Sequence, residues 1–560
     1  MESERARELV RERTSMQEGK VRFLGCLIKI YHKIELFGYN MRILQKMVII
    51  MKAYYNELNE IIATMSTSLE QNIEVLDNLF KDCADLVKRR FTIGGENKVD
   101  IYFLYMDNMI NKELLEEDTL RYLLYKMDDL PKDNKFDYIK AKGLRSADVT
   151  ELDTMQKIVD GILSGDTAIL IDGYNKALKV SIKGFANRGV PTAENEVTVR
   201  GSKESFSEAL FINRVLLRKR IKDTNLKIKQ LKVGTRSKTD VAVVYMDGIV
   251  KNEIVDDIIH RIENFVIDGI FDSGMLEQLT ERNHYSPFPE FQSTERPDKA
   301  ASALTEGRVC IIVDNSPMVL LLPTTLNSFY QASDDYYSRW EIATFSRILR
   351  YIASFIAVAL PGLYIVIVNY QSELISTNLA LSFAAAREGV PFSIFFEVII
   401  MEIAFELLLE AGIRLPGPMG NTIGIVGGII IGDAAVNANL ASPIVVIVVA
   451  LTAIAAFTIP NEAFAAAFRL VRYLIIFLSA IWGLLGFTIG IVLLMTHLCG
   501  LKSFGTPYLI PFVSSGVVGD NDYKDALIKM PTNKMTARPS YTRPDARKRL
   551  FFKGKQDNKE

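Results

Sequence analysis

Three glutamates, Glu402, Glu406 and Glu410, recur every fourth residue inside an otherwise apolar stretch of a 560-residue chain. At about 3.6 residues per turn this spacing lays them along one helical face, while Glu397 falls nearly opposite and outside the stripe. A carboxylate among apolar neighbours is costly, so such groups face a bundle interior, a water-filled path or a partner. Two arrangements meet that cost. One is an acidic stripe that lines or flanks a cation path; the other is an amphipathic helix lying at a membrane interface with its glutamates in water. Just beyond, Gly420, Gly424, Gly428 and Gly432 also recur every fourth residue, with Gly427 adjoining. Glycine at this period lets two helix backbones approach closely where hydrophobicity cannot drive them together. Packing alone would account for the glycines. Asp433, Asn437 and Asn439 follow them, and in a ring of copies these groups would make a polar mouth behind an apolar constriction, as in a channel.

Elsewhere few residues are placed for chemistry. Asp107 and Asp247 close two matching apolar runs, and Asp172 and Asp314 close another pair. They invite a catalytic or metal-binding reading, but Asp at a strand end is commonly a turn former that accepts from nearby backbone N–H groups, which is the reading preferred here. No glycine-rich phosphate loop accompanies them. Cys26, Cys83, Cys310 and Cys499 lack CxxC spacing, and His32, His260, His284 and His497 are equally dispersed. Reduced thiols, no metal and no cofactor are expected. No nucleophile, base and orienting group fall into a known pattern, so the chain is read as not an enzyme. With 66 Lys and Arg against 67 Asp and Glu the net charge is −1. No basic excess argues for nucleic acid.

The elements around these residues are apolar. Residues 351–372 carry no charge between Arg350 and Glu373, and 434–461 carry none between Asp433 and Glu462. Residues 473–501 hold only His497 among readily charged groups. A spanning helix needs roughly 20 such residues to cross about 30 Å of hydrocarbon. Residues 331–505 are therefore expected to form an all-α membrane domain of four to five segments. Arg339, Arg347 and Arg350, then Arg469 and Arg472, then the basic C-terminus each favour the cytoplasmic side. Simple crossings of that number do not satisfy all three.

Ahead of this region the pattern is that of a soluble α/β domain built from two duplicated subdomains, 66–198 and 236–330. IYFLYMDNMINKEL at 101–114 aligns with VAVVYMDGIVKNEI at 241–254, and GDTAILIDG at 165–173 with GRVCIIVDN at 307–315. Short runs rich in Val and Ile suit buried strands. Residues 199–235, with Arg214, Arg218, Lys219 and Arg220, are expected to be a basic helical connector. Residues 1–65 form a basic, amphipathic N-terminal extension, with Met65 as an alternative start. Residues 506–560 are basic and rich in Pro, Asn and Lys, and are expected to be disordered.

Several long motifs carry a resemblance. PFPEFQSTERPDK at 287–299, DDYYSRW at 334–340, ISTNLALSFAAAREGVPF at 375–392 and IGIVGGIIIGDAAVNANL at 423–440 resemble the A subunits of bacterial spore germinant receptors, the GerA family. The likeness runs from about residue 66 to the last apolar run. It implies a protein of the spore inner membrane, with its soluble domain in the cytoplasm. It implies a nutrient-binding B subunit and a lipoprotein C subunit as partners. It also implies oligomers, as pentamers, that form a nutrient-gated cation channel, with 420–437 at the pore or its packing seam. A secondary transporter would instead need inverted repeats among the spans; the repeat read here lies in the soluble part.

Overall fold

The computed structural model describes residues 61–127, 129–144, 148–184, 192–414, 418–513 and 522–550, apart from the side chains of 413–426 and 429. The N-terminal extension up to residue 60, Pro416 and the last ten residues lie outside the described residues. Two compact units divide the chain. Helices of eight or more residues and the strands of the two five-stranded sheets are numbered below in chain order.

The first unit holds helix α1 (Leu69–Leu79) and strands β1 (Leu86–Ile93), β2 (Val99–Met106) and β3 (Val149–Leu152). Helix α2 (Met155–Leu163) and strands β4 (Thr167–Ile171) and β5 (Ala177–Val180) complete it. The strand order is β1-β2-β4-β5-β3, with β2–β4, β4–β5 and β5–β3 antiparallel. Asp172 follows β4, and its Oδ1 accepts from Leu69 N at the start of α1 (3.1 Å). Asn72 exchanges two hydrogen bonds with the backbone of Ser66.

The second unit contains α3 (Leu210–Arg220), β6 (Leu226–Val233), β7 (Thr239–Met246), α4 (Asn252–Glu263), α5 (Ser273–Thr280), β8 (Gln292–Thr294), α6 (Pro297–Thr305), β9 (Val309–Val313) and β10 (Val319–Leu322). Its strands run β6-β7-β9-β10-β8, antiparallel throughout. Alternate residues of each strand face opposite sides. Leu226, Ile228, Val244 and Ile312 pack with α3 and α6, whereas Val233, Val243, Ile311 and Val313 pack with α4 and α5. The details match those of the first sheet. Asp314 Oδ1 accepts from Leu210 N (3.0 Å), and Asn213 exchanges two hydrogen bonds with Ser207.

Residues 199–235 depart from the expected basic helix. Only Leu210–Arg220 is helical there, and Leu226–Val233 is the edge strand of the second sheet. The sequence LKIKQLKV buries Leu226 and Ile228 against the core cluster, which outweighs its lysines. Arg218 is buried because Asp85 receives its Nε and Nη2 at 2.8 and 3.0 Å.

The apolar helices follow: α7 (Trp340–Asn369), α8 (Thr377–Ala386), α9 (Ile394–Arg414), α10 (Pro418–Asn437), α11 (Pro443–Phe457) and α12 (Glu462–Gly500). Ser442 caps α11, its Oγ accepting from Val445 N, with Pro443 at the first helical position; Asn461 caps α12 in the same way. Among the described residues, α7 and α12 are long and apolar enough to cross a membrane. The run 473–501, read above as one span, is not one. At Gly483 the backbone takes φ 57° and ψ −134°, and α12 folds back on itself. A Cβ on Gly490 would stand 3.0 Å from Ile475 Cγ1, and one on Gly486 would strike Leu478 O. Positions 475 and 490 would stand roughly 22 Å apart along a straight helix and could not meet so; here two antiparallel halves of α12 pack on each other.

Both ends of α12 contact the second sheet domain. Phe288 packs on Phe464, Phe468 and His497, and Ser286 Oγ lies 2.9 Å from His497 Nε2. Phe504, in the hairpin after α12, inserts against Phe291. The C-terminal segment expected to be disordered is ordered over 522–550. Ala526, Lys529, Ser540, Tyr541 and Thr542 are buried there, Arg347 binds Asp525 at 2.7 Å, and Arg543 donates to Val250 O at 2.8 Å. Its arginines find fixed acceptors on the folded domain, so a composition typical of disorder does not leave it unpacked.

Candidate functional site: paired charges and open glycines

The glutamate stripe lies on α9 opposite the first half of α12. Glu402 is buried, and its Oε2 meets Arg472 Nη2 at 2.8 Å. Glu406 is partly exposed, 3.3 Å from Arg469 Nε and 3.9 Å from Arg472 Nη2. Glu410 is exposed. Glu402 and Glu406 thus meet arginines inside the same chain, a pairing that neither arrangement considered from sequence included. The contact is electrostatic more than hydrogen-bonded: neither Glu402 oxygen nor Arg472 Nε has a hydrogen-bond partner in good geometry. Arg469 and Arg472, read above as topological markers, thus pair with Glu402 and Glu406. Arg469 and Arg472 lie three apart and so share a face of α12, but no local pattern in the sequence pairs that face with α9.

Glu397 stands apart from the stripe, as its helical phase requires. It is fully buried, with Oε1 accepting from Arg387 Nε and Nη2 at 3.1 and 2.9 Å and Oε2 from Ser442 N at 2.9 Å. That triad ties the start of α9 to the start of α11. Sequence reasoning missed Arg387, which lies beyond the preceding turn.

The glycines separate into two faces of α10. Gly427, outside the four-residue series, is the one in tight contact with α9, where a Cβ would strike Leu408 Cδ1. Gly428 faces open space, with nothing within 4 Å of where a Cβ would stand, and a Cβ on Gly432 would lie 3.3 Å from Val446 Cγ1. Gly420 and Gly424 lie in the same helix, and their surroundings are outside the described residues. Asp433 is exposed and accepts from Asn437 Nδ2 at 3.0 Å, so these two form a local pair one turn apart.

Asp107, Asp247, Asp172 and Asp314 do not converge. Asp247 Oδ1 accepts from Gly248 N (2.8 Å), Asp107 Oδ2 accepts from Asn108 Nδ2 (2.8 Å), and the other two cap helices as described. Among the described residues no group of three or more His, Cys, Asp or Glu is placed to hold a metal ion.

Two antiparallel-sheet units followed by apolar helices, two of them of spanning length, define an α/β protein with a helical part suited to a membrane. The chain belongs to the Bacillus/Clostridium GerA spore germination protein family, which matches residues 74–541. It is 38% identical to spore germination protein A1 of Bacillus subtilis (strain 168), over 83% of this chain and 94% of that one. Spore germination protein KA of the same organism is 37% identical over 83% and 85%. An uncharacterized membrane protein of that organism, YfkQ, is 39% identical over 86% and 93%. Among solved structures, the N-terminal domain of the A subunit of the Bacillus megaterium spore germinant receptor GerK3 is 28% identical, covering 47% of this chain and 96% of that one, with a TM-score of 0.37. The resemblance read from the motifs is thereby borne out.

Proposed function

We propose that this protein is the A subunit of a nutrient germinant receptor in the spore inner membrane, acting with a nutrient-binding B subunit and a lipoprotein C subunit. Several copies, as a pentamer, would surround a path for cations, and nutrient binding to the receptor would open it and start germination. The observation that carries the reading is the free face of α10. Gly428 has no neighbour among the described residues, and Asp433 and Asn437 are exposed beyond it on the same helix, while Gly427 is spent on the contact with α9. A helix with an unfilled glycine groove and polar groups at one end suits close approach of a second backbone around a polar opening. Paired with arginines, Glu402 and Glu406 act in this reading as the lock that holds α9 on α12, not as lining of the path.

The course of the helices supports a topology in which both ends lie on the cytoplasmic side. α7, α9, α10, α11 and the two halves of α12 would cross in turn, one more than the four to five expected, because Gly483 converts one apolar run into two. The three basic clusters then share one side. The like strand orders and like caps of the two sheets support descent from one duplicated unit.

Substituting Gly428→Leu tests the assembly. The protomer should keep its thermal stability, because the position is open, while the oligomer is lost and nutrient-triggered ion release falls. Gly432→Leu should in addition destabilise the protomer, by about 1–3 kcal/mol, through overpacking on Val446. Unchanged assembly and unchanged ion release in Gly428→Leu spores would sink the proposal.

A further inference from the structure

A cavity of about 380 Å³ opens where three segments of the second unit meet. Its walls come from α6, from the short helix Asp334–Tyr337 that leads into α7, and from the C-terminal segment with Thr532 and Arg549. Arg308, just before β9, lines it and also a smaller neighbouring cavity of about 80 Å³. Arg308 is buried, and all its partners are neutral oxygens: Pro323 O at 3.0 Å, Gln292 Oε1 at 2.7 Å, Thr324 Oγ1 at 3.1 Å and Leu321 O at 3.4 Å. The other cations of the cavity are already matched, Lys299 by Glu196 and Arg549 by Glu306. Asp298, the remaining carboxylate, is held by Arg296 and Tyr337.

A buried guanidinium with no carboxylate in ion-pair contact is expensive: burial pulls the pKa of Arg308 below its ordinary value, and Glu306, itself bound to Arg549, attracts it only from beyond contact. The hydroxyls of Ser302, Ser333 and Thr532 also line the cavity and make no hydrogen bond among the described residues. Arg308 has its fork engaged by the protein, so it offers charge and not a bidentate grip. Three hydroxyl donors around a fixed positive charge match the several acceptor oxygens of a tetrahedral phosphate, which a point charge can hold without a fork. We propose that this cavity binds a phosphate monoester or diester, with Ser302, Ser333 and Thr532 as donors and Arg308 as counter-charge. The cavity adjoins the start of α7, next to the exposed Trp340. The phosphate therefore has two sources, a soluble metabolite or the headgroup of an anionic phospholipid. Because the walls are three separate segments, an occupant would hold the C-terminal segment against α6.

The test uses the full-length protein. In detergent, thermal unfolding is followed while glycerol 1-phosphate or inorganic phosphate is titrated against sodium chloride at equal ionic strength. In nanodiscs, phosphatidylcholine is compared with phosphatidylcholine containing phosphatidylglycerol. A saturable rise in Tm with the free phosphates assigns the soluble source, and a rise confined to phosphatidylglycerol assigns the lipid. Arg308→Gln should abolish the rise. Should that variant not fold, Ser302→Glu, at an exposed position of α6, places a repelling charge in the cavity and should weaken binding roughly tenfold or more. No saturable rise from any of these ligands, or a rise undiminished by Ser302→Glu, overturns the proposal.

Discussion

Glu402 and Arg472 are both buried and meet at 2.8 Å, in surroundings that offer neither of them water. Desolvation takes back much of what their attraction supplies, so the pair adds little net stability over apolar residues of the same shape. Removing one partner is different, because it strands a charge. Arg472→Ala should cost about 3–5 kcal/mol of stability, and the double change Arg472→Met with Glu402→Leu should restore most of it. Thermal unfolding of the purified protein in detergent measures both. A single change without effect would mean that the pair does not hold α9 to α12. The glutamate spacing was legible in the chain because it is local. The arginine partners were not, because nothing along a sequence says which of two distant helices will face each other.

At the scale of the element, Gly483 decides the most. A residue with φ 57° and ψ −134° has a conformation open to glycine and strained for any other, and a Cβ there would also stand 2.8 Å from Tyr370 Cγ. Tyr370 OH in turn donates to Ala480 O at 2.5 Å, closing the turn from the α7 side. Gly483→Ala should cost about 1–3 kcal/mol. It should do so through the α12 hairpin, so limited proteolysis should find new cleavage near residue 483 before the sheets unfold. Composition hid this turn: a glycine inside an apolar run reads as a packing residue, and the apolar length alone reads as one span. The edge strand Leu226–Val233 was hidden for the opposite reason, since its three lysines masked a period-two pattern.

For the whole molecule the consequence is that the first and last apolar helices begin and end beside the same sheet domain. Cys499 is exposed at the end of α12, and Cys83 and Cys310 are buried. In the Cys26→Ser protein, a membrane-impermeant maleimide should label Cys499 from the side that carries the second sheet domain. A cysteine at Ser372, past the far end of α7, should label from the opposite side only. Labelling of both from one side in sealed vesicles would remove the proposed course of the helices. The C-terminal segment shows the same limit of composition: its arginines looked like those of a solvated tail, yet Arg543 and Arg549 have fixed partners on the sheet domain.

The amino-acid order by itself determined the family, the apolar character of the region after residue 350 and the matching strand-turn motifs. Each of these rests on contiguous pattern, the period of two or about 3.6 that a local chain segment imposes on its own side chains. Only the tertiary structure decided that the glutamate stripe is paired, that one apolar run is two helices and that the basic C-terminus is packed. Those outcomes depend on which remote surfaces meet, and a charge or a glycine has no fixed meaning until its neighbour across the fold is known.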